Sequence, residues 1–246
     1  MTYIKTYLVG GAVRDKLLGL PVKDFDYTVV VGNAKTVPEA WDAMRAHLKA
    51  EGFTIFLETP EYFTIRAKFP KDHENAKITA DFVLARQEGP YSDGRHPDWV
   101  KPGTLADDLR RRDFSVNAMA EDGDGNIIDY YQGRRRLEHR VLEAVGDPRD
   151  RMTEDPLRAL RAVRFAVTKG FKIEHDLAYA MRTMKVLDSL RNDISVDRIR
   201  DELFRCFEYD TVKTIAFLYD QFPMYLDIMA ERGIWLKPTM EKRKSA

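Results

Sequence analysis

YLVGGAVRDKLLGLPVKDFDYTVV, residues 7–30, decides how the rest of the chain reads. The apolar run at 6–9 ends in Gly10-Gly11, and residues 12–18 follow as a short helix closed by Gly19. Residues 25–31 are rich in β-branched and aromatic side chains and predict a strand. The glycine pair lets the backbone approach a ligand closely, a helix N-terminus favours anions, and Arg14 in the first turns offers a charge-assisted contact to phosphate. Neither the Walker pattern nor G-x-G-x-x-G is present, so this is neither a P-loop nor a dinucleotide turn. A bare tight turn is the plainer alternative.

Working outward, residues 38–50 form an amphipathic helix with Trp41, Met44 and Leu48 on one side and Gly52 as its C-cap. Three further strands are expected at 53–57, 62–69 and 77–85, and a polar Gly/Pro-rich loop at 87–103. From Asp107 helix dominates, apart from a turn at 122–126 and a short strand at 127–130. Helices are expected at 153–168, 174–190 and 196–209, and the tail EKRKSA is expected to be disordered. The pattern is a mixed α/β domain to about residue 135, then a helical region.

Asp24 and Asp26 stand at the start of the strand in KDFDYTVVV. Residues two apart on a strand share a face, so both carboxylates point the same way. They repel unless a cation sits between them, and hard oxygens at this spacing suit Mg²⁺. Asp-x-Asp is also an ordinary solvated strand entry. Asp81, inside the apolar strand KITADFVLA, is expected to be largely buried and to need a partner, either an arginine or a metal ion shared with its neighbours.

TEDPLRALRAVRF opens a helix with Thr153 as N-cap and Pro156 in the first turn. Asp155, Arg158, Arg161 and Arg164 recur every three residues, each rotated about 60° from the last. Asp155, Arg158 and Arg161 make a compact fan with Arg164 at its far edge. Either this is a solvated face, or an Asp and an Arg present acceptors and donors to a base edge.

The chain has 246 residues, 40 basic and 40 acidic, and a formal net charge of zero. A global basic field therefore gives no argument for nucleic acid, and local clusters must carry it. The single cysteine, Cys206, excludes an intramolecular disulfide and fits a reducing compartment. No apolar span of membrane length and no signal-like segment is visible, so a cytoplasmic protein without membrane association is expected.

In order, YLVGGAVRDKLLGLPVKDFDYTVV, YSDGRHPDWVKPGTLADDLRRRDFSVNAMAEDGDGNIIDYYQG and EDPLRALRAVRFAVTKGFKIE cover most of residues 7–175. Together they resemble the class II tRNA nucleotidyltransferases (CCA-adding enzymes) and related bacterial poly(A) polymerases. A weaker match, ISVDRIRDELFRCF, continues to Phe207. The resemblance implies an α+β, polymerase-β-like head with a mixed sheet over 1–135, an all-α neck over 136–210, and a short helical remnant and tail over 211–246. It implies that Asp24 and Asp26 bind metal, Mg²⁺, with Asp81 as a third carboxylate in catalysis and metal binding. Gly10, Gly11 and Arg14 match the triphosphate-binding turn. Arg112, Asp113 and Asn117, in RRDFSVNA, match the motif that handles triphosphate and sugar. Asp155 and Arg158 match the pair that acts as an amino-acid template for C and A, and Arg161 and Arg164 match further nucleotide-site arginines. The implied reaction is template-independent addition of C and A to a tRNA 3′ end from CTP and ATP.

Two positions depart from the family's DPFGG-x-x-DL, which reads DYYQGRRRL here: Gln132 replaces a glycine and Arg136 an aspartate. That segment is associated with the head–neck hinge and with the switch from C to A. About 40 residues follow Phe207, where many family members continue into body and tail domains. RNA is then expected to be gripped through basic clusters such as Arg134–Arg136 or through a homodimer. Single-specificity addition of C, A or poly(A) is the neighbouring reading. A catalytically inactive RNA-binding module is the reading of another class, and it has no use for Asp24, Asp26, Asp81 or the Asp155–Arg158 pair.

Overall fold

The structure is a computed structural model that describes residues 3–89 and 98–234. The stretch YSDGRHP and the tail EKRKSA lie outside the described residues. The chain divides into two units, Met1–Arg134 and Arg135–Ala246.

The first unit is built on strands β1 (Tyr3–Val9), β2 (Phe25–Gly32), β3 (Thr54–Thr59), β4 (Thr64–Lys68) and β5 (Thr79–Leu84), then β8 (Met119–Glu121) and β9 (Ile127–Asp129). They form a seven-stranded mixed sheet in the order β3-β4-β5-β2-β1-β8-β9. β2 runs antiparallel to β1 and parallel to β5, so it is central and its Val29, Val30 and Val31 are all buried. That explains the unbroken β-branched run: a strand covered on both faces has no polar side to alternate with. Residues 87–103, read as a loop, instead hold at their ends a short hairpin-like pair, β6 (Arg86–Glu88) with β7 (Val100–Pro102).

Helix α1 is Gly11–Leu17 and α2 is Val37–Ala50. The Thr36 side chain caps α2 by accepting the Glu39 N–H, and Ala40, Trp41, Met44 and Leu48 turn inward against one face of the sheet. Each such large apolar side chain stabilises by roughly 1.5–3 kcal/mol on burial. The opposite face carries α3 (Leu105–Arg110), whose Leu105 and Leu109 pack on Val9, Val30, Ala85 and Ala120. A capping box between Thr104 and Asp107 starts α3.

Asp129 ends β9, and its carboxylate accepts the backbone N–H groups of Tyr131, Gly133 and Arg134. Gln132 sits in the left-handed region at φ 56°. A Cβ on Gly133 would stand 2.3 Å from the Ser115 carbonyl oxygen, so only glycine fits there. α4 is Gly133–Glu138.

The second unit is helical apart from one short parallel pair, β10 (Val141–Leu142) with β11 (Lys172–Ile173). Its helices are α5 (Pro148–Glu154), α6 (Leu157–Lys169), α7 (His175–Met181), α8 (Met184–Asn192), α9 (Val196–Tyr209), α10 (Thr211–Gln221) and α11 (Pro223–Glu231). Two expectations are corrected. Thr153 does not cap the arginine-bearing helix but lies inside α5, and that helix begins only at Leu157. Asp155 is extended at φ −143°, ψ 96°, because the residue before a proline is pushed out of the helical region. The single helix expected over 174–190 is two, α7 and α8, with a break at Arg182–Thr183. No helix of the described residues is long and apolar enough to cross a membrane.

Candidate active site

The turn after β1 is fixed by backbone geometry. Gly10 has φ 71° and ψ −129°, and a Cβ there would lie 2.6 Å from Arg112 Nη1. The dihedrals require glycine here, and the Arg112 guanidinium packs against the bare Cα. The Gly10 N–H donates to the Met119 carbonyl at 3.3 Å, tying the turn to β8.

Arg14 is buried. Its Nη1 donates to Asn117 Oδ1 at 2.6 Å, and Nε and Nη2 donate to the two Asp15 oxygens at 2.8 and 2.9 Å. Asn117 Nδ2 in turn donates to Asp113 Oδ1 at 2.9 Å, which also accepts the Phe114 N–H at 2.8 Å. Arg14 and Asn117 are 103 residues apart in the sequence, and with Asp113 they form one chain of hydrogen bonds.

Arg112 is held by a residue that the sequence pattern did not single out. Asp108 is 5% exposed; its Oδ2 accepts from Arg112 Nη2 at 2.9 Å, from Arg112 Nε at 3.2 Å, and from Thr28 Oγ1 at 2.8 Å. Arg111 Nη2 stands 3.5 Å from its other oxygen. Burial alone would raise the Asp108 carboxyl, but the charges of Arg112 and Arg111 outweigh it and hold the group below the usual carboxylate range. The signal was present: Asp108 precedes Arg111 and Arg112 by three and four residues, which is helical contact spacing.

Asp24 immediately precedes β2 and Asp26 lies on it, in register with Val9 of β1 and Asp81 of β5. The mass of protein around Asp26 raises its carboxyl above the ordinary value; Arg112 opposes this, and Asp81 and Asp24 add to it by like-charge repulsion. Asp81 is half-buried rather than enclosed. Both of its oxygens are taken by Arg66 of β4, Oδ1 by Nε at 2.6 Å and Oδ2 by Nη2 at 2.7 Å. The arginine foreseen as one partner for Asp81 is thus Arg66. Among the described residues no three His, Cys, Asp or Glu side chains are gathered as a metal-holding group. Asp24 and Asp26 remain a donor set that fits a hard divalent cation, since one or two carboxylates plus substrate phosphates suffice for Mg²⁺.

In the second unit, the Asp155 carboxylate accepts the Leu157 N–H at 3.2 Å and lies 3.6 Å from Arg198 Nη2. Arg158 Nη1 donates to the Arg151 carbonyl at 3.1 Å and to Glu154 Oε2 at 2.9 Å. Arg164 Nε donates to Glu202 Oε2 at 2.6 Å, and Arg161 Nη1 is 3.8 Å from Glu202 Oε1. Arg164 is therefore not set apart from the fan: it converges with Arg161 on the buried Glu202 of α9, another residue that the sequence pattern did not mark. Arg136 is forked onto Glu143 at 2.5 and 2.7 Å. A cavity of about 330 Å³ on the other face of the sheet, lined by Tyr27, Phe53, Phe69 and Phe82, touches none of the candidate site residues.

Residues 6–143 match the model of the poly A polymerase head domain. The chain is similar to the multifunctional CCA protein of Neisseria gonorrhoeae (strain NCCP11945), 40% identical over 205 residues, which cover 81% of this chain and 43% of that protein. It is also similar to the CCA-adding enzyme of Buchnera aphidicola subsp. Schizaphis graminum, 37% identical over 213 residues, 83% of this chain and 45% of that one. Among solved structures, the Bacillus stearothermophilus CCA-adding enzyme in complex with CTP superposes with a TM-score of 0.69 at 29% identity, covering 89% of this chain and 48% of that one. A tRNA nucleotidyltransferase complexed with a primer tRNA and an incoming ATP analog gives 0.70 at 27% identity, covering 93% and 59%. The chain thus spans somewhat less than half the length of these curated relatives.

Proposed function

The chain belongs to the family defined by the poly A polymerase head domain, and from that membership we propose that it is a template-independent RNA nucleotidyltransferase adding C and A to the 3′ end of tRNA from CTP and ATP. The observation that carries this reading is the position of Arg112. It is packed against the Gly10 turn, is anchored by Asp108, and is close enough to Asp26 for its charge to act on that carboxylate. A glycine turn, a fixed cation and a carboxylate pair in one place form an arrangement suited to phosphoryl transfer.

In this reading Asp24 and Asp26 hold Mg²⁺, which when bound neutralises triphosphate charge and aligns the 3′-hydroxyl with the α-phosphorus. Gly10 and Gly11 leave room for the triphosphate to approach the backbone. Arg14 and Arg112 present charges already oriented by Asn117 and Asp108, so little reorganisation accompanies the reaction. Asp113 and Asn117 hold that frame and face the sugar. Asp81 acts as third carboxylate or as acceptor of the hydroxyl proton. Asp155 and Arg158 read the base edge, with Arg161 and Arg164 supporting the nucleotide.

One observation favours a narrower specificity, addition of a single nucleotide type or of poly(A). Gln132 takes a left-handed conformation where the family motif has glycine, and Arg136, in place of an aspartate, is engaged by Glu143. Both lie in the segment associated with switching from C to A. Incubation with tRNA lacking its 3′ end, Mg²⁺ and each labelled triphosphate separately, resolved on a gel, tests both readings. Growth by C, C and A supports the first, growth by one nucleotide supports the second, and no growth with any triphosphate sinks both.

A further inference from the structure

Across three adjacent strands the residues in register are Arg66 on β4, Asp81 on β5 and Asp26 on β2. Cross-strand partners share a face, and neighbouring strands lie about 4.7–4.9 Å apart. Asp24 stands two residues before Asp26 at the same end. The order across the sheet is thus one cation followed by two carboxylates, with Asp24 as a third carboxylate two residues along the chain from Asp26. Arg66 commits both its Nε and Nη2 to Asp81, at 2.6 and 2.7 Å, in the bidentate geometry that fits a carboxylate best. Its charge also reaches Asp26 and Asp24.

We infer that Arg66 is a resident counter-ion of this carboxylate row, holding Asp81 out of metal coordination until a divalent cation displaces it, and so setting how many ions the site takes up. The inference rests on the metal-dependent transfer proposed above for the presence of a cation at Asp24 and Asp26. Charge counting supports it. With Arg66 docked, three carboxylates and one guanidinium sum to −2, which a single divalent ion balances. With Arg66 withdrawn the row carries −3, and incoming triphosphate oxygens make room for a second ion. Displacement is feasible because the Arg66 side chain is 47% exposed and the pair lies partly in water, where ion pairs are weak. Arg112 cannot play this role, because Asp108 already holds it. Arg66 is therefore a positioning residue acting through Asp81.

The test is a Mn²⁺ titration of the full chain, with free ion followed by electron paramagnetic resonance. The wild type is expected to take up one ion readily and a second far more weakly. Arg66→Ala should tighten the second by about tenfold, as expected for removing one nearby positive charge at a partly solvated site. Arg66→Lys, which keeps the charge but not the fork, should fall between. The gain should vanish in Arg66→Ala/Asp81→Asn, with circular dichroism confirming that each variant is folded. An isotherm unchanged in Arg66→Ala, or a gain that persists without Asp81, overturns the inference. A chain that binds Mn²⁺ as described but transfers no nucleotide overturns the transferase reading alone. A chain that transfers nucleotide while its isotherm ignores Arg66 overturns this inference alone, and one that binds no Mn²⁺ overturns both.

Discussion

Asp108 shows how much of the candidate site depends on a single buried charge. Its carboxylate accepts from Arg112 and from Thr28. Replacing it with asparagine removes the charge that compensates Arg112, while Arg111 keeps its ion pair with Glu88 at 2.7 Å, and breaking a buried pair in this way costs on the order of 3 kcal/mol. Chemical denaturation of Asp108→Asn should show that loss. The pH dependence has a definite sign. The folded carboxyl is held below the unfolded value of 3.8, so its contribution is present above that value and is lost as pH falls through the folded one. Asp108→Asn should therefore lose stability at neutral pH and show a smaller further drop on acidification below pH 3.8 than the wild type. Asp24→Ala/Asp26→Ala should abolish nucleotide transfer while leaving the circular dichroism spectrum unchanged; full activity in the double variant would end the proposed mechanism. The Asp24–Asp26 pair was legible because a period of two needs only local sequence. Arg66 was not, because its link to Asp81 depends on a hairpin register spanning 15 residues.

At the scale of elements, the break between α5 and α6 matters most. The proline in EDPLRAL forces Asp155 out of the helix, and this lets its carboxylate accept the Leu157 N–H at the head of α6. The arginine ladder was readable from its spacing. The break required weighing Pro156 as a constraint on its predecessor rather than as a tolerated first-turn residue. If Asp155 and Arg158 read the base, Asp155→Ala/Arg158→Ala should raise incorporation of U and G relative to C and A. Removing the hydrogen bond to Leu157 will also cost about 1 kcal/mol, as for a missing helix cap. Asp155→Asn is the control, since its amide oxygen can still accept that N–H. Unchanged choice of nucleotide in the double variant would reduce the pair to a helix-start device.

As a whole molecule, a chain of zero formal net charge meets RNA through local clusters. Arg134, Arg135 and Arg136 form one run of three consecutive basic residues, as do Arg110, Arg111 and Arg112, but its members are not equivalent. Arg136 is forked onto Glu143, and Asp129 is occupied by backbone N–H groups. Replacing Arg134, Arg135 and Arg136 with alanine should weaken tRNA binding and flatten its log–log salt dependence, at about 0.9 for each phosphate that is no longer neutralised. Unchanged affinity and slope would place the RNA-binding surface elsewhere. The two-unit division of the chain follows the change from strand patterning to helical patterning that its sequence displays.

The parallel pairing of β2 with β5 also bears on the order in which the protein assembles itself. Asp26 and Asp81 meet only when the 55-position stretch of chain that separates them has been brought round. The β1–β2 and β3–β4–β5 pairings close shorter loops and need not wait for it. Closing the longer loop exacts its entropy before any pairing repays it, so the parallel seam is expected to zip after the local hairpins. A half-made chain would then hold Asp24 and Asp26 together on one segment, while Asp81 stands apart from them. In stopped-flow refolding of Arg66→Ala, uptake of the second Mn²⁺ should lag the β-sheet signal and share the rate of the slowest phase; second-ion uptake that keeps pace with the earliest hairpins would reverse that order.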